Sequence, residues 1–323
     1  MKAIVVHEIG GPEVLKYDEA PRPEPGAGEA RIKVEAAGLN FIDIYLRTGQ
    51  YKATLPVIPG QEAAGTVDAV GPGVTEVKPG ERVVVFAGDL KSYAEYVVAP
   101  AWKLVPLPRE ISAQQAAAVL LQGLTAQYLV TSTYSVQPGT RTVVHAAAGG
   151  VGQLLVQMVK LHGGHVIGTA STADKIKLAR ELGADEMINY VEQDFEPEVK
   201  RLTGGRGVDV VYDSVGKDTF DRSINCLRPR GYMVLFGQSS GRVPPLDPQT
   251  LNAKGSLFLT RPTLAHYVAT REELLWRAND LFERMAEGKL KVRIDKTFPL
   301  AQATQAHEYL ASRQAMGKVL LVP

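Results

Sequence analysis

One run of small residues carries the clearest chemistry in the sequence. Val143-Val144-His145 is strand-like, Ala146-Ala147-Ala148-Gly149-Gly150-Val151-Gly152 follows, and residues 153–161 have helical character. A strand that ends in small residues and opens into a helix lets a pyrophosphate reach the backbone, where unpaired N–H groups face the anion. The spacing departs from Gly-x-Gly-x-x-Gly at its first position, which Ala147 fills, while Gly149 and Gly152 supply the other two. Alanine serves there as long as its φ stays negative. Gly149, Gly150, Val151 and Gly152 are therefore the expected phosphate contacts of a dinucleotide. The plain alternative is tight strand–helix packing with no ligand.

The choice of dinucleotide is read about twenty residues further on, where an NAD site places Asp or Glu to hold the ribose hydroxyls. Here the sequence is Gly168-Thr169-Ala170-Ser171-Thr172-Ala173-Asp174-Lys175. No acid stands at the strand end, Ser171 can donate to a phosphate oxygen, and Lys175 lies one helical turn onward. A 2′-phosphate repels a carboxylate but welcomes a hydroxyl, helix N–H groups and an ammonium. Such charge-assisted bonds are worth about 1.5–3 kcal/mol each. NADPH is favoured over NADH. Against this stand Asp174, unless it faces solvent, and the bland reading of Ser171 as a helix cap with Lys175 in water.

These residues need a scaffold. Residues 2–7, 29–35, 63–70, 81–86 and 93–99 read as short strands, divided by turns such as Gly71-Pro72-Gly73 and Lys78-Pro79-Gly80. That spacing suggests a small barrel or sandwich. From about residue 110 the pattern changes. Helices are expected at 113–119, capped by Ser112, and at 120–130. Strands at 142–146, 165–169, 186–190, 208–212, 232–236 and 256–259 then alternate with helices at 151–161, 173–182, 194–202 and 218–227. Six strands with crossover helices imply a parallel, doubly wound sheet. A tail of helix, strand, helix and strand (271–287, 291–298, 301–312 and 318–322) is expected to pack back on the first domain.

Composition excludes several classes. Lys and Arg number 36 and Asp and Glu 35, a formal charge of +1, so nothing marks a dedicated nucleic-acid binder. The 31 glycines and 20 prolines fit a turn-rich chain with a nucleotide site. A single cysteine, Cys226, excludes an internal disulfide and a Cys-based zinc site, and is expected inside a helix as a small buried side chain. His162 and His165 are separated by Gly163-Gly164 and do not form a ligand pair on one helical face, so no metal is expected. No stretch approaches the ~20 continuous apolar residues of a membrane span, and residues 1–6 lack the apolar core of a signal peptide. A soluble, cytoplasmic protein is the expectation.

A series of motifs stands in order along the chain: Gly10-Gly11-Pro12-Glu13-Val14-Leu15, Asn40-Phe41-Ile42-Asp43 with Tyr45 and Tyr51, Gly60-Gln61-Glu62-Ala63-Ala64-Gly65, Lys78-Pro79-Gly80-Glu81-Arg82-Val83, Gly123-Leu124-Thr125-Ala126, the glycine turn, Tyr212-Asp213-Ser214-Val215-Gly216 and Thr260-Arg261-Pro262. In this order they resemble the medium-chain dehydrogenase/reductase superfamily, specifically its zinc-independent NADPH:quinone oxidoreductase branch, over essentially the whole length. The resemblance implies an α/β protein with a GroES-like β-rich catalytic domain (1–122, completed by 266–323) and a Rossmann domain with a doubly wound parallel sheet (123–265). Zinc-dependent relatives carry a Cys near the present Asn40 and a His where Gln61 stands, plus a lobe with four Cys. None of these is present in this chain.

Without a Lewis acid, worth several kcal/mol of charge stabilisation, a conjugated acceptor is preferable, because it spreads the incoming charge. The resemblance places Asn40, Tyr45 and Tyr51 near the nicotinamide and the quinone. Asn40 is expected to hydrogen-bond the cofactor, and the tyrosines to offer hydroxyls or stacking faces. Gln61 either bonds the substrate or fills space, and Arg261 either faces the site or forms a structural ion pair. Thr125 and Tyr128 are implied at the nicotinamide end, Tyr190 at the adenine, and Ser214, Gly237, Gln238, Ser239 and Arg313 as further cofactor contacts.

The expected function is reduction of a quinone by NADPH, as hydride or as single electrons. Reduction of a conjugated enone or enoyl thioester is the alternative, and an RNA-binding or structural role on the same fold is the alternative of another class. The strand at 256–260 reads as a sheet edge, and a homodimer is expected through it.

Overall fold

Glycine and proline turns cut the amino-terminal residues into β1 (Lys2–Val6), β2 (Leu15–Glu19), β3 (Glu29–Gly38), α1 (Phe41–Arg47), β4 (Glu62–Val70), β5 (Arg82–Phe86), β6 (Tyr96–Pro100) and β7 (Leu104–Pro106) in a computed structural model that describes residues 1–323. After α2 (Ala113–Tyr128) come β8 (Arg141–Val144), α3 (Gly150–Leu161), β9 (His165–Ala170), α4 (Ala173–Glu181), β10 (Glu186–Asn189) and α5 (Phe195–Leu202). The series continues through β11 (Val208–Asp213), α6 (Phe220–Asn225), β12 (Leu227–Leu235), α7 (Gln249–Ala253) and β13 (Phe258–Thr260). It closes with α8 (Arg271–Ala286), β14 (Ile294–Pro299), α9 (Ala303–Ala311) and β15 (Lys318–Val322). Met1–Leu124 with Val268–Pro323 forms one unit and Thr125–Tyr267 the other.

The first unit holds a seven-stranded sheet in the order β14-β15-β3-β4-β5-β7, with β6 also paired to β3, and a separate β1–β2 ribbon. Its apolar interior includes Ile32, Val34, Val83, Val85, Leu104 and Leu321. A Cβ on Gly65 would lie 1.9 Å from the Lys33 carbonyl oxygen, so only glycine lets β4 approach β3 beside the register shift at Val34–Ala36. The carboxyl-terminal strand β15 pairs antiparallel with β3, Leu320 opposite Gly38 and Leu321 opposite Ala37. That register carries Lys318, at the head of β15, to the residues just beyond the end of β3.

The second unit holds six parallel strands in the order β10-β9-β8-β11-β12-β13. The order runs outward in both directions from β8. Its carboxyl end is therefore the switch point where a doubly wound sheet binds its ligand.

Several elements differ from the sequence expectation. The two helices expected over 113–130 are one continuous α2, which passes into a π-helical turn at Leu129–Thr133. Ser112 caps it reciprocally: Gln115 N donates to Ser112 Oγ (3.1 Å) and Ser112 N to Gln115 Oε1 (2.9 Å). Gly123, inside the helix, marks close packing, since a Cβ there would lie 2.8 Å from Leu281 Cδ1 of α8. Cys226 lies one residue past α6 rather than inside a helix; it is fully buried, and burial pushes its thiol up to about 12. The short β2, α1, β7 and α7 have no counterpart in the sequence reading.

Candidate active site

In the second unit, β8 stops at Val144, and the positive φ of the turn falls on Ala146 (50°), not on Ala147. Gly149 takes the N-cap position of α3 in extended conformation, and its N–H donates to the Ala146 carbonyl (2.8 Å). A Cβ on Gly152 would meet that same carbonyl oxygen at 2.2 Å and Ala147 Cα at 2.9 Å. Gly152 is the contact that lets α3 start directly over the strand end. Gly150, Val151 and Gly152 occupy the first turn of α3, whose free N–H groups face the switch point.

His145, buried just before the turn, ties the strand ends together. Its Nδ1 lies 3.0 Å from Thr169 Oγ1 and its Nε2 2.8 Å from Ser223 Oγ. Burial lowers the His145 pKa, so the ring is a neutral link. Asp213, also buried, accepts from Val215 N (2.7 Å), Gly216 N (3.0 Å) and Thr219 Oγ1 (2.8 Å), which fixes the loop after β11 that carries Ser214. Ser239 N donates to Ser214 O (3.1 Å), bringing Ser239 beside Ser214 after Gly237 and Gln238. Gln238 Nε2 is buried without a protein partner, an orphaned donor of the kind a bound ligand satisfies.

At the end of β9, Thr172 and not Ser171 caps α4, accepting from Lys175 N (3.4 Å). Lys175 stands in the first turn, Asp174 is exposed, and no carboxylate ends the strand. Tyr190, just past β10, is half exposed. Tyr128 at the end of α2 stacks on Tyr267, with ring centroids 4.1 Å apart and planes 8° apart, and Thr125 is buried one turn earlier. Arg261 follows β13 and is exposed.

In the first unit, α1 begins at the end of β3. Asn40 N donates to Asp43 Oδ2 (2.9 Å) and the Asn40 side chain accepts from Asp43 N, a reciprocal capping box. The Asn40 side chain is held on both sides: Nδ2 donates to Glu62 Oε1 (2.7 Å) and Gly38 O (3.3 Å), and Oδ1 accepts from Lys318 Nζ (2.9 Å). Lys318 pairs with Glu62 Oε1, and Glu62 Oε2 accepts from Leu121 N (2.8 Å). Lys318 and Glu62 are 1% and 0% exposed, so the ion pair is withdrawn from water. Tyr45 and Tyr51 meet edge to face at 5.5 Å, linked by Tyr51 N to Tyr45 O (3.0 Å). Gln61 is buried beside Glu62. Arg313, at φ 60°, stands exposed two residues past α9.

Asp43 stands in the first turn of α1 and is fully buried. Its Oδ2 accepts from Asn40 N and from Tyr93 Oη (2.9 Å), and Tyr93 Oη lies 3.1 Å from His307 Nε2. Burial raises the Asp43 carboxyl to about 7 despite these two donors. Both donors meet Oδ2, and Oδ1 is buried with no protein partner. Burial, aided by the Arg47 charge, lowers His307 to about 3.

This donor set does not fit zinc. Asn40 and Gln61 are amides, the Glu62 carboxylate is engaged by an ammonium, and Lys318 Nζ would repel a second cation. No group of three or more His, Cys, Asp or Glu is arranged to hold a metal ion. Glu62 and Lys318 lie 256 positions apart and share no local motif. The available signal was a lysine opening the apolar strand Lys318-Val319-Leu320-Leu321-Val322, because a buried charge there demands a partner.

Residues 26–109 match the alcohol dehydrogenase GroES-like domain family and residues 182–321 the zinc-binding dehydrogenase family. The chain is 46% identical over 323 residues to quinone oxidoreductase 1 of Escherichia coli, covering 99% of each. It is 42% identical over 328 residues to a 2-haloacrylate reductase of Burkholderia sp., covering 99% of this chain and 98% of the relative. Among solved structures, Escherichia coli quinone oxidoreductase complexed with NADPH superposes with a TM-score of 0.97 at 45% identity, covering 100% of both chains.

Proposed function

The chain belongs to the quinone oxidoreductase branch of the medium-chain dehydrogenase/reductase superfamily, and on that premise we propose that it reduces quinones with NADPH, without zinc. Bound NADPH supplies the reducing equivalents. The chain's own residues hold it and orient the acceptor. The glycine turn of α3 takes the pyrophosphate. Ser171 and Lys175 take the 2′-phosphate, Tyr190 covers the adenine, Gln238 spends its orphaned amide N–H on the cofactor, and Ser214, Gly237 and Ser239 line its path. Thr125, Tyr128 and Asn40 serve the nicotinamide end, with Arg313 a further cofactor contact. Tyr45 and Tyr51 present hydroxyls and ring faces to a flat acceptor, with Gln61 and Arg261 as further polar groups.

The observation that carries this reading is the amide, carboxylate and ammonium set of Asn40, Glu62 and Lys318 in place of metal ligands. With no Lewis acid, the acceptor must delocalise charge itself, as a quinone does. The relative named for 2-haloacrylate reduction favours a second reading, reduction of an activated C=C bond by the same residues.

Lys175→Ala with Ser171→Ala tests the cofactor assignment. Each charge-assisted bond is worth about 1.5–3 kcal/mol, so kcat/KM for NADPH should fall by at least about tenfold while that for NADH holds. Equal losses for both cofactors would contradict it. Phe258 and Leu259 are 49% and 37% exposed on the edge strand β13, which supports pairing with a second copy. A dimer mass by light scattering at micromolar concentration is expected, and a monomer mass would refute the pairing. No helix is long and apolar enough to cross a membrane, and we place the activity in the cytoplasm, where NADPH is available.

A further inference from the structure

At the carboxyl end of the parallel sheet, His145 sits inside a hydrogen-bond chain that has a direction. Asp213 closes it. Its Oδ1 accepts from Val215 N and Gly216 N, and its Oδ2 accepts from Thr219 Oγ1 and, at 3.4 Å, from Ser223 Oγ. A hydroxyl has a single proton, and Ser223 gives its own to Asp213. The 2.8 Å contact between Ser223 Oγ and His145 Nε2 is then a bond in which the ring donates. The ring is neutral and buried, so Nδ1 is a bare acceptor and takes the Thr169 hydroxyl proton at 3.0 Å. Phe195 packs edge to face against the ring, with centroids 4.8 Å apart and planes at 73°.

We propose that His145 is a positioning residue for NADPH, a strut that holds the strand end leading to the 2′-phosphate residues at a fixed distance from the loop of Ser214. This rests on the assignment of Ser171 and Lys175 to the 2′-phosphate and of Ser214 to the cofactor path. The sheet order supplies the span. Strands β9, β8 and β11 are neighbours. Thr169 belongs to β9, His145 follows β8 and Asp213 ends β11, so the hydrogen-bond chain crosses three adjacent strand ends at the switch point. Thr169 stands two residues before Ser171, and Asp213 directly before Ser214. The backbone repeats the tie: Ala147 N donates to Thr169 O (3.0 Å) and His145 N to Tyr212 O (3.1 Å), on either side of Ala146. Thr169, His145 and Ser223 touch no part of the cofactor in this assignment and act through the residues beside them. A ligand of two halves gains most when the spacing of their subsites is set before it arrives.

The test is a double-mutant cycle of Thr169→Val and Ser223→Ala in the full-length protein. Calorimetry reads the affinity for NADPH and for adenosine 2′,5′-bisphosphate, which has the 2′-phosphate and lacks the nicotinamide. Each single variant is expected to weaken NADPH about fivefold, and the double variant to match either single within about twofold. The bisphosphate engages one side of the strut only, so its affinity should stay within about twofold of wild type in all three. Thr169→Ser keeps the hydroxyl and should bind NADPH as the wild type does. If Ser223→Ala does not fold, His145→Gln replaces it in the cycle, because its amide can still donate to Ser223 while Thr169 loses its acceptor. Unchanged NADPH affinity in either single variant, losses that multiply to about 25-fold in the double variant, or equal losses for both ligands would overturn the strut. A wild-type protein that binds NADPH but not the bisphosphate would instead overturn the 2′-phosphate assignment, and the strut with it.

Discussion

Gly152→Val should abolish dinucleotide binding. Even the first carbon of the new side chain would lie 2.2 Å from the Ala146 carbonyl oxygen and 2.9 Å from Ala147 Cα. Both atoms are backbone and cannot swing away, so α3 must move off the end of β8. The N–H groups proposed to face the pyrophosphate move with it. A loss of at least about 100-fold in NADPH affinity, near 2.8 kcal/mol, is expected by fluorescence titration. Gly149→Ala is the matched contrast. Its Cβ would meet the same oxygen at 3.2 Å, a contact that a small shift relieves, and affinity should fall less than tenfold. Equal binding by both variants would show that the turn does not hold the cofactor.

The second large effect lies in the pH dependence of stability. Asp43 rises from an ordinary 3.8 to about 7 on folding, so the folded protein holds a proton that the unfolded chain releases between those values. Stability from Asp43 is fully present below about 4 and is lost as pH rises toward 7, at about 1.4 kcal/mol per pH unit. His307 falls from 6.5 to about 3, so the unfolded chain takes up a proton that the folded protein refuses. Its contribution is fully present above 6.5 and is lost as pH falls toward 3, with the same slope. Over pH 4–6.5 the two slopes oppose and cancel, and Tyr93 Oη bridges the two groups. Burial sets both values; Asn40 N, Tyr93 and Lys318 oppose it at Asp43 and Glu62 adds to it, while Arg47 adds to it at His307.

Each substitution therefore exposes the other's slope. Relative to wild type, His307→Gln should lose stability as pH rises from 4.5 to 6.5, and Asp43→Asn should lose it as pH falls over the same interval. Urea unfolding at pH 4.5, 5.5 and 6.5 checks both signs. Parallel pH profiles for wild type and both variants would show that neither group carries a shifted proton in the folded state.

Much of the fold was legible because its signals are local. Alternating strands and helices, with a strand running into glycines, announced the parallel sheet, and the order of motifs announced the family. What stayed hidden was set by distant partners. Helix α1 is masked by Phe41, Ile42, Ile44 and Tyr45, which read as strand-formers, and is started by Asp43 bonding back to Asn40 N. The close approach of α8 that Gly123 permits has no mark in the local sequence. Ser171 is the cap the sequence offers for α4, and backbone geometry selects Thr172.

The site divided in the same way. The small residues of the turn could be read directly, since their chemistry is that of close backbone approach. The Glu62–Lys318 pair, the Tyr93 bridge to His307 and the orphaned Gln238 amide arise only where the sheet order joins residues far apart in sequence.

The most direct measurement is NADPH oxidation by 1,4-benzoquinone after exhaustive chelation, repeated with NADH. Metal-stripped protein should keep full turnover and prefer NADPH by at least about tenfold, the equivalent of about 1.4 kcal/mol. Activity that chelation removes and zinc restores, or a protein that oxidises neither reduced nicotinamide, would contradict a quinone reductase built on Asn40, Glu62 and Lys318.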